Sequence, residues 1–153
     1  MIALRFESTL NTDAATVWQQ VSRMSGVNRE LMPLLRMTAP PAYADLSLEQ
    51  APLGEVLFQS WLLLFGLLPF DRHALRLERL LPGVGFDEDS TSLLQRVWRH
   101  RRRVQATAGG CRVVDELEVL PRLAPAFIVR ALVRTVFMHR HRRLRRMFGA
   151  AAS

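Results

Sequence analysis

The residues best suited to chemistry sit in one apolar hairpin. Residues 94–106 read LQRVWRHRRRVQA, 107–110 read TAGG and 111–121 read CRVVDELEVLP. Alternate side chains of a strand share a face. Trp98, His100, Arg102 and Val104 therefore lie together on the first strand, and Val113, Asp115, Leu117 and Val119 on the second. A tight turn at Ala108-Gly109 sets Arg102 opposite Asp115 and His100 opposite Leu117, while a turn at Gly109-Gly110 would still leave both sets on one side. A His, an Arg and an Asp among apolar walls are the usual ingredients of a small-molecule pocket. Imidazole changes charge nearest neutral pH, so His100 is the candidate general acid or base. Asp115 would orient it or hold Arg102, and Arg102 would stabilise an enolate. A simpler explanation covers the same residues. Arg102 and Asp115 form a cross-strand ion pair, worth about 0.2–1 kcal/mol, and His100 is a hydrogen-bonded wall residue. The simpler explanation is preferred.

Other candidates carry less. His73 shares a strand face with Leu75 and Leu77, where a lone histidine is more often a core residue than a catalyst. No His or carboxylate pair has a recognised metal spacing, so neither a metal nor a cofactor is expected. His139 and His141 lack the i, i+4 separation that puts two ligands on one helical face. No G-x-S-x-G supports Ser60 or Ser90 as a nucleophile, and no phosphate loop or dinucleotide fingerprint is present. Cys111 follows the hairpin turn beside Arg112, which would activate the thiol, but a small strand residue is the plainer reading.

The elements that must position these groups follow from periodicity. Ile2, Leu4 and Phe6 alternate with polar residues in a first strand. Asn11-Thr12-Asp13 caps a helix whose apolar positions are Ala14, Val17, Trp18 and Val21; Ser25-Gly26 breaks it, and a second short helix, 27–32, ends before Pro33. A strand over 34–38 and a loop over 39–52 come next. A meander is then expected, with strands over 55–64 and 72–80, turns at Pro69 and Pro82-Gly83, and a short strand or bulge in GFDED. Pro125 opens a long helix that runs to Phe148, with Gly149 as its C-cap. Phe127, Ala131, Thr135 and Met138 form one stripe of that helix and are expected to close a cavity against the sheet.

Composition narrows the class. The 153 residues suit a single domain with a real core, and one cysteine rules out an internal disulfide. The start of the chain resembles no signal peptide, and the longest apolar run, 61–70, falls short of the roughly 20 residues that span a bilayer. A soluble, cytoplasmic protein is expected. All 21 basic residues are arginine, and the net charge of +7 is unevenly spread. Residues 1–95 hold seven Arg against eleven acids, and residues 96–153 fourteen against three. The end of the last helix, HRHRRLRRMF, would suit an anionic membrane or nucleic acid, but a GC-rich coding bias and a solvated helix end account for it more simply. Trp61, Leu63 and Phe65 give the strand over 55–64 a second apolar face, consistent with a homodimer contact.

Several local features carry a resemblance. They are the first strand followed by DAATVW, PGVGFDEDS before a strand, W-x-H with a Gly-Gly turn and VVDELEVLP, and FMHRHRRLRRMFG in the last helix. Together, and in this order of elements, the chain resembles the START-like (SRPBCC) helix-grip superfamily. The resemblance implies an α+β fold: a curved antiparallel sheet of six to seven strands around a long C-terminal helix, with two short helices after the first strand. It also implies binding of a mostly apolar small molecule such as a lipid, quinone or polyketide, and for a minority cyclisation or dehydration, here with His100 as acid/base. The expected ligand contacts are Trp61, His73, Trp98, His100, Arg102, Asp115 and Leu117 from the sheet, with Phe127, Ala131, Thr135 and Met138 from the helix.

Overall fold

In a computed structural model, which describes residues 1–151, the alternating start of the chain forms β1 (Ile2–Leu10). Asp13 caps α1 (Ala14–Val21), its carboxylate accepting the Thr16 amide at 3.0 Å and so satisfying one of the helix's free donors. α2 (Met24–Leu31) starts earlier than the sequence suggests. Ser25-Gly26, expected to separate the helices, lies inside it. Gly26 is where α2 meets α1: a Cβ there would fall 1.8 Å from the Gln20 carbonyl oxygen. Close approach explains this glycine, and helix termination does not.

β2 (Leu35–Met37) is followed by a segment expected to be a loop, which contains the short α3 (Pro41–Ala44) and a 3-10 turn at Leu48–Gln50. Trp18 Nε1 pins that turn by donating to Glu49 at 2.7 Å. The meander follows: β3 (Val56–Leu64), β4 (Leu68–Leu81), β5 (Gly85–Ser92), β6 (Gln95–Thr107) and β7 (Gly110–Pro121). The turn expected at Pro69 lies at 65–67 instead, where Phe65 and Gly66 take positive φ of 54° and 75°. Pro69 sits inside β4 opposite Leu63, beside a bulge, a place where a residue without an N–H is tolerated. GFDED belongs to a full strand.

The seven strands form one antiparallel sheet in the order β1-β7-β6-β5-β4-β3-β2. The hairpin turn is at Ala108-Gly109, with Thr107 paired to Gly110, Arg102 to Asp115 and His100 to Leu117. After Pro125, α4 (Ala126–Phe148) runs back along β1 and α2. Gly149 ends it at a φ of 78°, its amide bonding to the Arg145 carbonyl at 2.9 Å. This is the helix-grip arrangement expected of the sequence.

The face that α4 buries is not the one expected. Val129, Val133, Phe137, Arg140, His141 and Leu144 are buried, whereas Phe127, Ala131, Thr135 and Met138 are exposed. The first half of α4 is apolar nearly all round, so periodicity could not choose the face. Packing against β1 and β7 chooses it. Phe137 stacks on Phe6 at 5.5 Å and clusters with Ile2, Leu117, Val119, Val129 and Val133. A separate cluster joins Met24 of α2 to Phe58 and Leu75 of β3 and β4. A third closes the opposite end, around Trp18, Leu77, Val104 and Leu144. No helix of the described residues is long and apolar enough to cross a membrane.

Candidate functional site

The inward faces of β4 to β7 carry more than apolar side chains. Arg102 is fully buried and grips Asp115 with a fork, Nε donating to Oδ1 and Nη2 to Oδ2, each at 2.7 Å. Its Nη1 donates to Glu30 Oε2 at 2.8 Å. Glu30, also fully buried, accepts a further bond from Arg140 Nε at 3.2 Å. All three nitrogens of Arg102 are thus held by two buried carboxylates.

Asp115 has two more donors. His100 Nε2 reaches Oδ1 and His141 Nε2 reaches Oδ2, both at 2.7 Å. An ionised carboxylate only accepts, so both imidazoles carry a proton on Nε2. Ser8 completes this side, taking a bond from Arg145 at 2.9 Å and lying 2.7 Å from His141 Nδ1. On the far side of His100, Glu88 accepts from His73 Nε2 at 2.9 Å and from Ser90 Oγ at 3.0 Å. The result is one buried polar seam from α4 to β4, containing three carboxylates, two guanidiniums and three imidazoles.

The electrostatics follow from this pairing. Burial alone would raise the Asp115 carboxyl, but the Arg102 charge and bonds, with His100, outweigh it and hold Asp115 well below the usual carboxylate range. Burial likewise opposes ionisation of Glu30 and Glu88, and is overcome by Arg102 and Arg140 in the first case and by His73 and His100 in the second. The Arg102 guanidinium is pushed up by Asp115 and Glu30 against the effect of burial. Burial pushes the Cys111 thiol up, and Asp13 adds to it, so Arg112 does not activate it.

Of the residues expected to meet a ligand, the fold brings together His73, Trp98, His100, Arg102, Asp115 and Leu117. The Trp98 ring meets His73 edge-on at 5.9 Å and lies 6.3 Å from Phe137. Trp61 is not among them: it points out of the sheet, where the Arg72 guanidinium covers its ring at 5.7 Å. Phe127, Ala131, Thr135 and Met138 are also outside the group. Two clefts open at the surface, the larger of them lined in part by Glu88, His100 and Leu117. One, of about 430 Å³, lies over the charged outer face beside Arg99, Arg101 and Glu118, and one of about 320 Å³ lies between Met1, Leu120 and Phe127. Among the described residues no three His, Cys, Asp or Glu side chains converge as metal ligands would.

Sequence reasoning missed Glu30, Glu88, Arg140 and His141. Each had a signal. Glu88 alternates with Phe86 and Ser90 on one strand face, and His141 lies four residues after Phe137 and three before Leu144. Glu30 falls on the same short-helix face as Val27 and Leu31.

Solved structures share this architecture along nearly the whole chain. Protein CV1439 from Chromobacterium violaceum superposes with a TM-score of 0.74 at 12% identity, covering 97% of this chain and 99% of its own. A START superfamily protein from Mycobacterium smegmatis gives 0.64 at 12% identity, covering 96% and 95%. Ara h 8.0201 gives 0.64 at 10% identity, covering 94% of each. At these identities the likeness establishes the START-like helix-grip fold. No curated protein matches the sequence. Residues 8–148 match the sequence family described as a domain of unknown function, DUF8410, and the chain belongs to that family.

Proposed function

We propose that the chain binds, and so carries, a mostly apolar small molecule between the sheet and α4, at the end remote from the β6–β7 turn. The observation that supports this reading is that the apolar residues between sheet and helices there fall into two clusters with polar side chains between them. The Phe137 and Val133 cluster of α4 does not merge with the Met24, Phe58 and Leu75 cluster of α2, β3 and β4. His73 and the half-buried Trp98 lie on the seam between them. An apolar body entering there meets hydrocarbon on both sides, while His73 offers a polar contact for its head. His100, Arg102 and Asp115 are the floor. Asp115 is held by Arg102, His100 and His141, and Arg102 also by Glu30, which favours a structural role over acid/base or enolate chemistry.

The test is a titration of purified protein with the apolar fluorophore 1-N-phenylnaphthylamine, with native mass spectrometry of the protein as isolated. Saturable uptake is expected, weakened about tenfold or more by Trp98→Ala or His73→Ala through lost burial and hydrogen bonding. Trp61→Ala should leave it unchanged. Absence of uptake together with a mass matching the bare chain overturns the reading.

A further inference from the structure

One end of the molecule is apolar and exposed, and its one nearby acid, Asp71, is buried. Three loops lie at this end, and hydrogen bonds join two of them to each other and to β4. The Leu93 amide bonds to the Arg72 carbonyl and the Leu94 amide to Asp71 Oδ1, joining the β5–β6 turn to the start of β4. The Arg122 amide bonds to the Leu94 carbonyl, joining that turn to the β7–α4 connection. Each loop projects large apolar side chains into solvent: Leu67 is 80% exposed at the β3–β4 tip, Leu123 97% on the connection and Phe127 75% in the first turn of α4. Phe65, Leu93 and Leu132 are exposed beside them. A patch of this kind marks an interaction surface.

Charge narrows the partner. Arg72, Arg96, Arg122, Arg130 and Arg134 lie on the elements that carry these tips and Arg36 on β2 beside β3, and all are exposed. Among the described residues none of these six has a carboxylate within 4.0 Å. The nearby acid, Asp71, is buried and capped by backbone amides, and no acid follows Glu118 in the sequence. A second copy of the chain fits poorly, because a two-fold interface mates a patch with itself and would set arginine against arginine. Nucleic acid would use the arginines and leave the aliphatic tips in water. An anionic bilayer takes both, with apolar tips at the acyl boundary and guanidiniums among the headgroups.

We propose that this end, built from the β3–β4 tip, the β5–β6 turn and the start of α4, docks on the surface of an anionic phospholipid bilayer. The inference goes beyond ligand binding and does not require it. It also relocates the cationic contact. In the Arg-rich end of α4, Arg140 is bound to Glu30, Arg143 to the Arg29 carbonyl and Arg145 to Ser8.

Co-sedimentation with sucrose-loaded vesicles tests it, comparing phosphatidylglycerol–phosphatidylcholine mixtures with phosphatidylcholine alone. Binding to the mixed vesicles is expected, weakening as salt rises. Leu67→Asp with Leu123→Asp, both on exposed positions, should reduce it about tenfold or more, as should Arg130→Glu with Arg134→Glu. Arg142→Glu with Arg146→Glu, at the other end of α4, should change it little. No binding, or equal loss from the Arg142 and Arg146 pair, overturns the proposal. So does DNA binding that survives the Leu67 and Leu123 changes, or a dimer that these changes dissolve. Fluorophore uptake measured without vesicles reports the ligand site separately, so either property can fail alone.

Discussion

Arg102 and Asp115 face each other across β6 and β7 in a two-bond fork, and neither reaches solvent. This pair differs in kind from the surface pairs of the same sheet, such as Arg99 with Glu118 at 3.3 Å. An exposed pair is screened and contributes little, whereas removing one member of a buried pair strands the other without water. Arg102→Met should therefore destabilise the fold by about 3–5 kcal/mol, because Asp115 and Glu30 both lose their main cation. Arg99→Met should stay within about 0.5 kcal/mol. Urea midpoints of the two variants check the contrast, and similar values would mean that Arg102 is not the keystone of the seam.

His100 and His141 donate to the two oxygens of one carboxylate from opposite elements, β6 and α4. Each single change to Leu removes one donor, at about 1–3 kcal/mol. Because both serve Asp115, their effects should couple by about 0.5–3 kcal/mol rather than add. A double-mutant cycle measures this. Strict additivity would show that the seam is a set of independent contacts.

Gly26 is a packing residue inside a helix, which reverses its usual meaning. An alanine Cβ would meet the Gln20 carbonyl of α1 at 1.8 Å, and the obstacle is backbone. α1 and α2 must separate to admit it. Gly26→Ala should therefore destabilise by about 1–3 kcal/mol, although alanine is the better helix former in isolation. Thermal melts decide it, and a raised midpoint would refute the close-approach account.

The hairpin was legible in sequence because two local rules agree on it. Strict alternation assigns faces, and the Gly-rich turn sets the register that pairs Arg102 with Asp115. The seam's other members were not, since their partners are remote: Glu30 and Arg102 are 72 positions apart, and Arg140 and Glu30 are 110 apart. The rotation of α4 is hidden in the sequence for another reason. Its first half offers apolar residues on every side, so only tertiary contact with β1 separates Val133 and Phe137 from Ala131 and Thr135. Gly26 and Pro69 look like breaks in the sequence because local signals do not report a neighbouring helix or a bulge.

Acid should be the condition that unlocks the seam. Asp115, Glu30 and Glu88 all have folded carboxyls held below their ordinary values of 3.8 and 4.5. A carboxyl that binds protons less readily when folded adds stability that is complete above its unfolded value and is lost as pH falls through the folded one. Stability from these three groups should be flat from about pH 7 to about pH 5 and decline steadily below about pH 4. Arg102→Met removes the principal cation facing Asp115 and Glu30, and so should flatten the acid limb while lowering the plateau. Urea denaturation of both proteins at a series of pH values tests the two statements together. A variant limb as steep as the wild-type one would locate the acid sensitivity outside the seam.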